Sequence, residues 1–315
     1  MTSFDDHSPP APGNPGAPDG GGLPSIEAIP PEPPATDPAK AWPEDLRISW
    51  SWIHFIMFTF FSVGSLFFIQ LALALYLATV RQLTMKQIEQ LLTTRAPYAV
   101  SVQLAWFGLM MLFLWVSLSI FRDAPFWRTI GWRPLPASTS GPGGSGAGWR
   151  YFLLGCGLSV FVLIAGARFQ PKGKIPIQEL LKDRTGMLLV MGLAVAVAPL
   201  VEETLFRGYL YPFLARKFSS LAEIFGRAPA AAQKFGVRTG ILVTGGLFGI
   251  LHGMQLGWTW GLVALLILVG IVFTYIRARS GTVVASYLLH LGYNGTIAVL
   301  TAAVTRGFRS FPPGP

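Results

Sequence analysis

Three short stretches in the second half of a 315-residue chain set polar side chains at helical spacing among apolar neighbours. They read LVEETLFRGYL (200–210), FGILH (248–252) and HLGYN (290–294). Carboxylates in apolar, membrane-like surroundings are costly and mark function by default. A glutamate beside a histidine can hold a water and take its proton. An imidazole N–H and an asparagine amide one helical turn apart can donate to the oxyanion of an attacked carbonyl. Glu202, His252, His290 and Asn294 supply that set. The chemistry would be hydrolysis with water as nucleophile, because the chain carries no GxSxG, no pair of membrane aspartates and no Ser–Lys pair.

The adjacent glutamates must have different jobs. Successive helical residues lie about 100° apart, so Glu202 and Glu203 cannot aim at one point. Glu203 and Arg207 are i, i+4 neighbours in the order that favours an ion pair. Glu203 is thus expected to be tied mainly to Arg207, leaving Glu202 free and directed into the helix bundle, with Pro199 loosening the helix just before it. Phe248 shares a helix face with His252, and Asn294 with His290. Counted from the span ends, Glu202, His252 and His290 fall at similar depths.

These positions need membrane helices to hold them. The chain is 52% hydrophobic and 12% charged, where a soluble domain carries about a quarter charged residues. Uncharged runs cover 48–80, 96–121, 151–167, 185–201, 239–276 and 280–305. The run over 239–276 would be roughly 57 Å long as one helix, too long for one crossing, and HGMQLG (252–257) offers a turn near its middle. The expected fold is all-α, a polytopic bundle of about seven transmembrane helices. Three regions are expected: a disordered tail over 1–47, amino-terminal transmembrane helices over 48–168, and a region over 186–303 that carries the three polar stretches and is set by the resemblance given below.

The tail holds 12 of the 25 prolines and a net charge of −6, while the remainder is strongly basic; such a tail cannot bury enough apolar surface to order itself. It lacks the cationic and apolar regions of a signal peptide. Residues 81–95 read as an interfacial amphipathic helix, 134–148 as a flexible linker and 218–236 as a helical loop outside the bilayer. With the amino terminus inside, the inner segments hold 13 Lys/Arg against 10 outside, so the amino terminus is expected in the cytoplasm, in an integral protein of a bacterial plasma membrane. Basic loops beside spans suit anionic headgroups rather than nucleic acid. His54 reads as a satisfied interior histidine, Cys156 as a small buried apolar residue, and Gly245, Gly249, Gly253, Gly257 and Gly261 as a close-packing stripe.

EETLFR, FGILH and HLGYN, in this order on separate spans, resemble the EExxxR, FxxxH and HxxxN motifs of the CPBP intramembrane proteases, which include the CAAX prenyl endopeptidases and bacteriocin-processing homologues. The resemblance covers roughly 186–303. It implies that Glu202 and His252 activate the water, that His290 and Asn294 form an oxyanion hole, and that Glu203, Arg207 and Phe248 support them. Glu202 with two histidines could ligate zinc, but without an HExxH helix a metal-free glutamate mechanism is expected, with no cofactor. The partners would be a membrane-associated protein or peptide substrate and the lipid bilayer. A proton-coupled transporter and a non-catalytic immunity or binding protein are the rival readings. Against the first, the chain has no internal repeat and its polar residues gather at one locus.

Overall fold

The computed structural model describes residues 42–120, 125–135, 147–169 and 176–309. Residues 1–41 and most of the 134–148 linker lie outside that description. Among the described residues there is no strand. Seven helices are long and apolar enough to cross a membrane, judged by length and composition. The first is α1 (Trp52–Thr79), followed by the short amphipathic α2 (Met85–Thr94). The others are α3 (Ala96–Ile120), α4 (Ala147–Gly166), α5 (Arg184–Ile224), α6 (Pro229–Leu251), α7 (Trp260–Ser280) and α8 (Val283–Val304).

α1 is the peripheral helix. It buries little of itself and leaves Phe60 76% exposed, a surface that only lipid would stabilise. His54 is not an interior histidine. Its Nδ1 lies 3.1 Å from Ser51 Oγ and 3.3 Å from the Ser51 backbone nitrogen, closing the first turn of α1. α2 keeps its amphipathic character, with Ile88 buried.

α5 departs most from expectation. The apolar run ends at Val201, yet helix continues to Ile224. Asp183 caps its start, accepting from Gly186 N at 2.7 Å. Its register then widens twice into π-helix, at Leu193–Val197 and Glu203–Leu210. Both wide turns run up against a proline, Pro199 and Pro212, each at the start of the α-helical segment that follows. Proline removes an N–H and crowds the carbonyl four residues earlier, which disfavours an unbroken α-register. π-turns concentrate at functional sites, and here they hold the polar stretch. The helical loop expected over 218–236 resolves into the end of α5, a turn at 225–228 and the first turns of α6.

The 239–276 run breaks at the expected place. α6 stops at Leu251, and a 3₁₀ turn at Met254–Leu256 leads to Gly257 and Trp258, both with left-handed backbone (φ 57° and 54°). The glycine stripe packs α6 on α7 in its first half. A Cβ on Gly245 or Gly249 would meet the backbone of Ile271 or Ile267. A second close contact was not anticipated. Gly155 of α4 and Gly292 of α8 bring those backbones together, since a Cβ on either would strike the carbonyl of Leu289 or Phe152. Cys156, half-buried rather than buried, sits in that seam with Sγ 3.7 Å from Gly292 O.

The tail boundary also moves. Residues 42–47 are placed against the bundle, with a 3₁₀ turn at Glu44–Leu46. Leu46 is buried with Tyr211 and Ala215, and Asp45 pairs with Arg277 Nη1 at 3.1 Å. Arg277 is wholly buried although the sequence put it between spans.

Candidate active site

α5, α6, α7 and α8 supply the walls of the site. Arg207 is its deepest cation, with no exposed side-chain area. It donates from Nη1 to Glu203 Oε1 at 3.0 Å, from Nη2 to Gly270 O at 3.0 Å and from Nε to Thr274 Oγ1 at 3.3 Å. Its guanidinium lies 4.5 Å from the Phe248 ring centre and 5.2 Å from that of Phe273. An ion pair in such a place is stable only with its hydrogen bonds filled, and α7 fills those of Arg207.

Glu203, also without exposed side-chain area, is not tied to Arg207 alone. His290 Nδ1 lies 2.9 Å from the same Oε1. The expected Glu203–Arg207 pair is present, and the His290 bond adds to it: a carboxylate oxygen has lone pairs for two donors, and the wide turn over 203–210 presents it to α8. A carboxylate accepts, so His290 Nδ1 carries the hydrogen and Nε2 points the other way. The ring is set by Phe273, 4.8 Å away, and Phe248, 6.0 Å away and edge-on.

His252 closes the end of α6. Its Nδ1 lies 2.7 Å from Phe248 O, one turn back, and its ring is 4.6 Å from the Phe248 ring. A carbonyl accepts, so here too Nδ1 carries the hydrogen and Nε2 is left with its lone pair.

Glu202 stands between the two imidazoles. Oε1 lies 3.9 Å from His252 Nε2, and Oε2 lies 3.9 Å from His290 Nε2. Both gaps are too long for a direct hydrogen bond and suit one water. The side chains of Glu202 and His252 are 16% and 22% exposed, against 4% for His290. The site therefore opens past Glu202 and His252, beside the exposed apolar Leu251 and Met254.

Asn294 lies one turn beyond His290, but one of its amide N–H groups is already used. Nδ2 donates to Ala194 O on α5 at 2.7 Å. The structure thus brings Glu202, Glu203, Arg207, Phe248, His252 and His290 into one cluster and sets Asn294 at its edge. Thr274 and Gly270, both bonded to Arg207, were not singled out from sequence. The signal was present, since a glycine and a threonine four apart in an apolar helix place a hydroxyl on a carbonyl, and Thr274 Oγ1 does reach Gly270 O at 2.7 Å. Trp132, whose indole N–H donates to Thr204 Oγ1 at 2.9 Å behind the glutamates, carried no such signal.

A metal ion would need three donors converging at about 2 Å. Among the described residues no group of three His, Cys, Asp or Glu side chains is arranged to hold one.

Comparison with known proteins agrees with the motifs. No curated protein and no solved structure matches the chain. Residues 184–296 match the family model described as Type II CAAX prenyl endopeptidase Rce1-like. That interval runs from the start of α5 to two residues beyond Asn294, so the three motifs lie within it, with α5, α6 and α7 whole and the first part of α8. The match supports intramembrane CAAX-protease activity in general: residues 184–296 are similar to the Rce1-like members of the CPBP/CAAX-protease family.

Proposed function

We propose that the protein is an intramembrane endopeptidase that hydrolyses a peptide bond of a membrane-associated protein or peptide, using a water activated by Glu202 and His252. The observation that carries this reading is the pair of 3.9 Å gaps from the two oxygens of Glu202 to His252 Nε2 and His290 Nε2. A water in the first gap would donate one hydrogen to Glu202 and the other to His252, because both atoms facing it are acceptors. Its own lone pairs would then point at an incoming carbonyl carbon. On attack, the water proton passes to Glu202 or His252, the carbonyl oxygen becomes an oxyanion, and the same proton goes to the leaving nitrogen as the C–N bond breaks.

The oxyanion would be met by the free amide N–H of Asn294 and by His290. With Nδ1–H held by Glu203, His290 would donate from Nε2 when that nitrogen also carries a hydrogen. Glu203 and Arg207 hold the ring in place. No metal enters this reading, and activity that survives exhaustive chelation, with no zinc in elemental analysis, is the expected result. The exposed apolar residues beside His252 suit a substrate reaching the site from the bilayer. The amino terminus is proposed to face the cytoplasm, which labelling of single introduced cysteines from either side would test.

The decisive experiment compares membrane proteomes of cells carrying wild-type protein and Glu202→Ala. New peptide termini should appear with the wild type alone, and the purified variant should not cleave the substrate so identified. A folded Glu202→Ala protein with full cleavage overturns the proposal. Substrate-dependent proton flux in liposomes would point to the transporter reading instead, and unchanged cellular function in a Glu202/His252 double variant to a non-catalytic one.

A further inference from the structure

The hydrogen bond from Asn294 to Ala194 has a cause in the backbone of α5. In an α-register the carbonyl of Ala194 would accept from Ala198 N–H. That N–H donates instead to Leu193 O, five residues back, in the first wide turn. The donor that follows in the wide register would be residue 199, and Pro199 has no N–H. The Ala194 carbonyl is therefore passed over by both registers. In a membrane-spanning helix no bulk water can take its place, and a lost partner there is expensive. Asn294 Nδ2, at 2.7 Å on the facing helix α8, is the donor that fills it.

The position matters for the chemistry. The α-helical segment that restarts after this turn is Ala198–Glu202, ending on the proposed base. The rotation at which it restarts decides where Glu202 points. Asn294 is one turn from His290 on the same face of α8, so its bond fixes α5 against the helix that carries Glu202's second neighbour.

Building on the protease reading above, we propose that Pro199, the Ala194 carbonyl and Asn294 form a latch that holds the wide turn open. Through it, Asn294 acts as a positioning residue for Glu202, in addition to any donation to the oxyanion. Pro199 creates an orphan acceptor, and Asn294 uses it to join α5 to α8. An asparagine suits this job because it donates without charge. An ionised aspartate could not donate, and a leucine of similar size would leave the carbonyl bare.

The test is a double-variant cycle on the full-length protein in detergent, with Asn294→Leu, Pro199→Ala and the two combined. Pro199→Ala returns an N–H that serves Ala194 in either register: residue 199 itself in the wide one, or Ala198 if the helix tightens. Asn294→Leu alone should lower the thermal midpoint and reduce kcat on the order of 100-fold with KM little changed, the scale of a small misplacement of a reacting group. Adding Pro199→Ala should raise the midpoint again and recover kcat by about tenfold or more. A double variant whose midpoint recovers while kcat stays at the Asn294→Leu level makes Asn294 a substrate donor only and overturns the positioning role. Recovery of neither overturns the latch. If Asn294→Leu does not fold, folding of the double variant supports the latch, and its failure to fold counts against it. If the wild type cleaves nothing, the protease reading falls while the midpoint cycle still decides the latch.

Discussion

Glu203 Oε1 accepts from His290 Nδ1 at 2.9 Å and from Arg207 Nη1 at 3.0 Å, so one oxygen joins a histidine 87 residues away to the buried arginine of its own helix. Two neighbouring carboxylates thereby take opposite parts. Glu203 is sealed, with Oε1 bonded twice and Oε2 buried without a hydrogen-bond partner, and the Oε1 bond decides which nitrogen of His290 faces the pocket. Glu202, one residue earlier, keeps both oxygens at 3.9 Å from the imidazoles and partly open to the outside.

Glu203→Gln should therefore impair the site by way of His290. A glutamine can offer its N–H₂ to Nδ1, which would hold the ring in the opposite tautomer and remove the carboxylate on which a ring carrying both hydrogens rests. Wrong-tautomer changes of this kind reduce kcat by on the order of 10⁴ where a carboxylate orients a catalytic histidine. Steady-state cleavage by Glu203→Gln, with thermal unfolding to show that the bundle persists, checks the expectation. Activity within a few-fold of wild type would remove Glu203 from the positioning of His290.

Glu202→Gln should separate activity from stability. Glu202 makes no direct hydrogen bond short enough to hold the fold, and a neutral amide is cheaper than a charge among apolar helices. The expected result is a thermal midpoint equal to or above that of the wild type, together with loss of cleavage. A large drop in midpoint would mean that Glu202 is structural.

The sequence carried the seven spans, the break at 252–257 and the polar cluster, because apolar runs and i, i+4 spacing are local signals. It did not carry the length of α5. The uncharged run ends at Val201 and the sequence places the span's polar end at Arg207, whereas helix continues to Ile224, with Glu203 and Arg207 satisfied by α8 and α7. The 100° argument separated Glu202 from Glu203 correctly, but the backbone there is a wide turn whose cause, a proline at the start of each following segment, shows only once the hydrogen-bond register is known. The tail boundary was set at Arg47 by composition. Asp45 and Leu46 look like tail residues until Arg277 and Tyr211, more than 160 residues later, supply their partners.

That last contact predicts a stability cycle. Arg277 donates from Nη1 to Asp45 Oδ2 at 3.1 Å and from Nη2 to the Asp45 carbonyl at 3.2 Å, with its own side chain wholly buried. Asp45→Asn should cost about 3–5 kcal/mol, the usual penalty for leaving a buried charge without its partner. Asp45→Asn combined with Arg277→Met should recover much of that loss, because the stranded charge is gone. Thermal or denaturant unfolding of the three variants in one detergent measures it, and equal losses in the single and double variants would contradict it.

Glu44, beside this pair, gives a pH signature of opposite character. A hydrogen bond from Arg128, and then the nearby charge of Arg133, hold its carboxyl below the ordinary value of 4.5. A carboxyl depressed on folding adds stability above its unfolded pKa and loses it as pH falls through the folded one. Glu44→Gln should therefore flatten the acid side of the midpoint-versus-pH curve below about pH 4.5 and leave the neutral region nearly unchanged. The difference should shrink as salt is added, since the contact is exposed. A difference that persists at high salt would point to another group.

Gly292 and Gly295 of α8 allow the packing argument to be tested within one turn of the site. A Cβ on Gly292 would run into the Phe152 carbonyl, whereas one on Gly295 would meet nothing within 4 Å. Gly295→Ala should be neutral or should stabilise by up to about 1 kcal/mol through helix propensity. Gly292→Ala must push α8 from α4, at a cost of about 1–3 kcal/mol for overpacking. Because Gly292 lies between His290 and Asn294, the same displacement shifts both relative to α5. Cleavage should fall with Gly292→Ala and persist with Gly295→Ala when both are assayed well below their unfolding midpoints. Equal activity in the two would mean that α4 does not fix the position of α8, and that the bonds to Glu203 and Ala194 suffice to hold it.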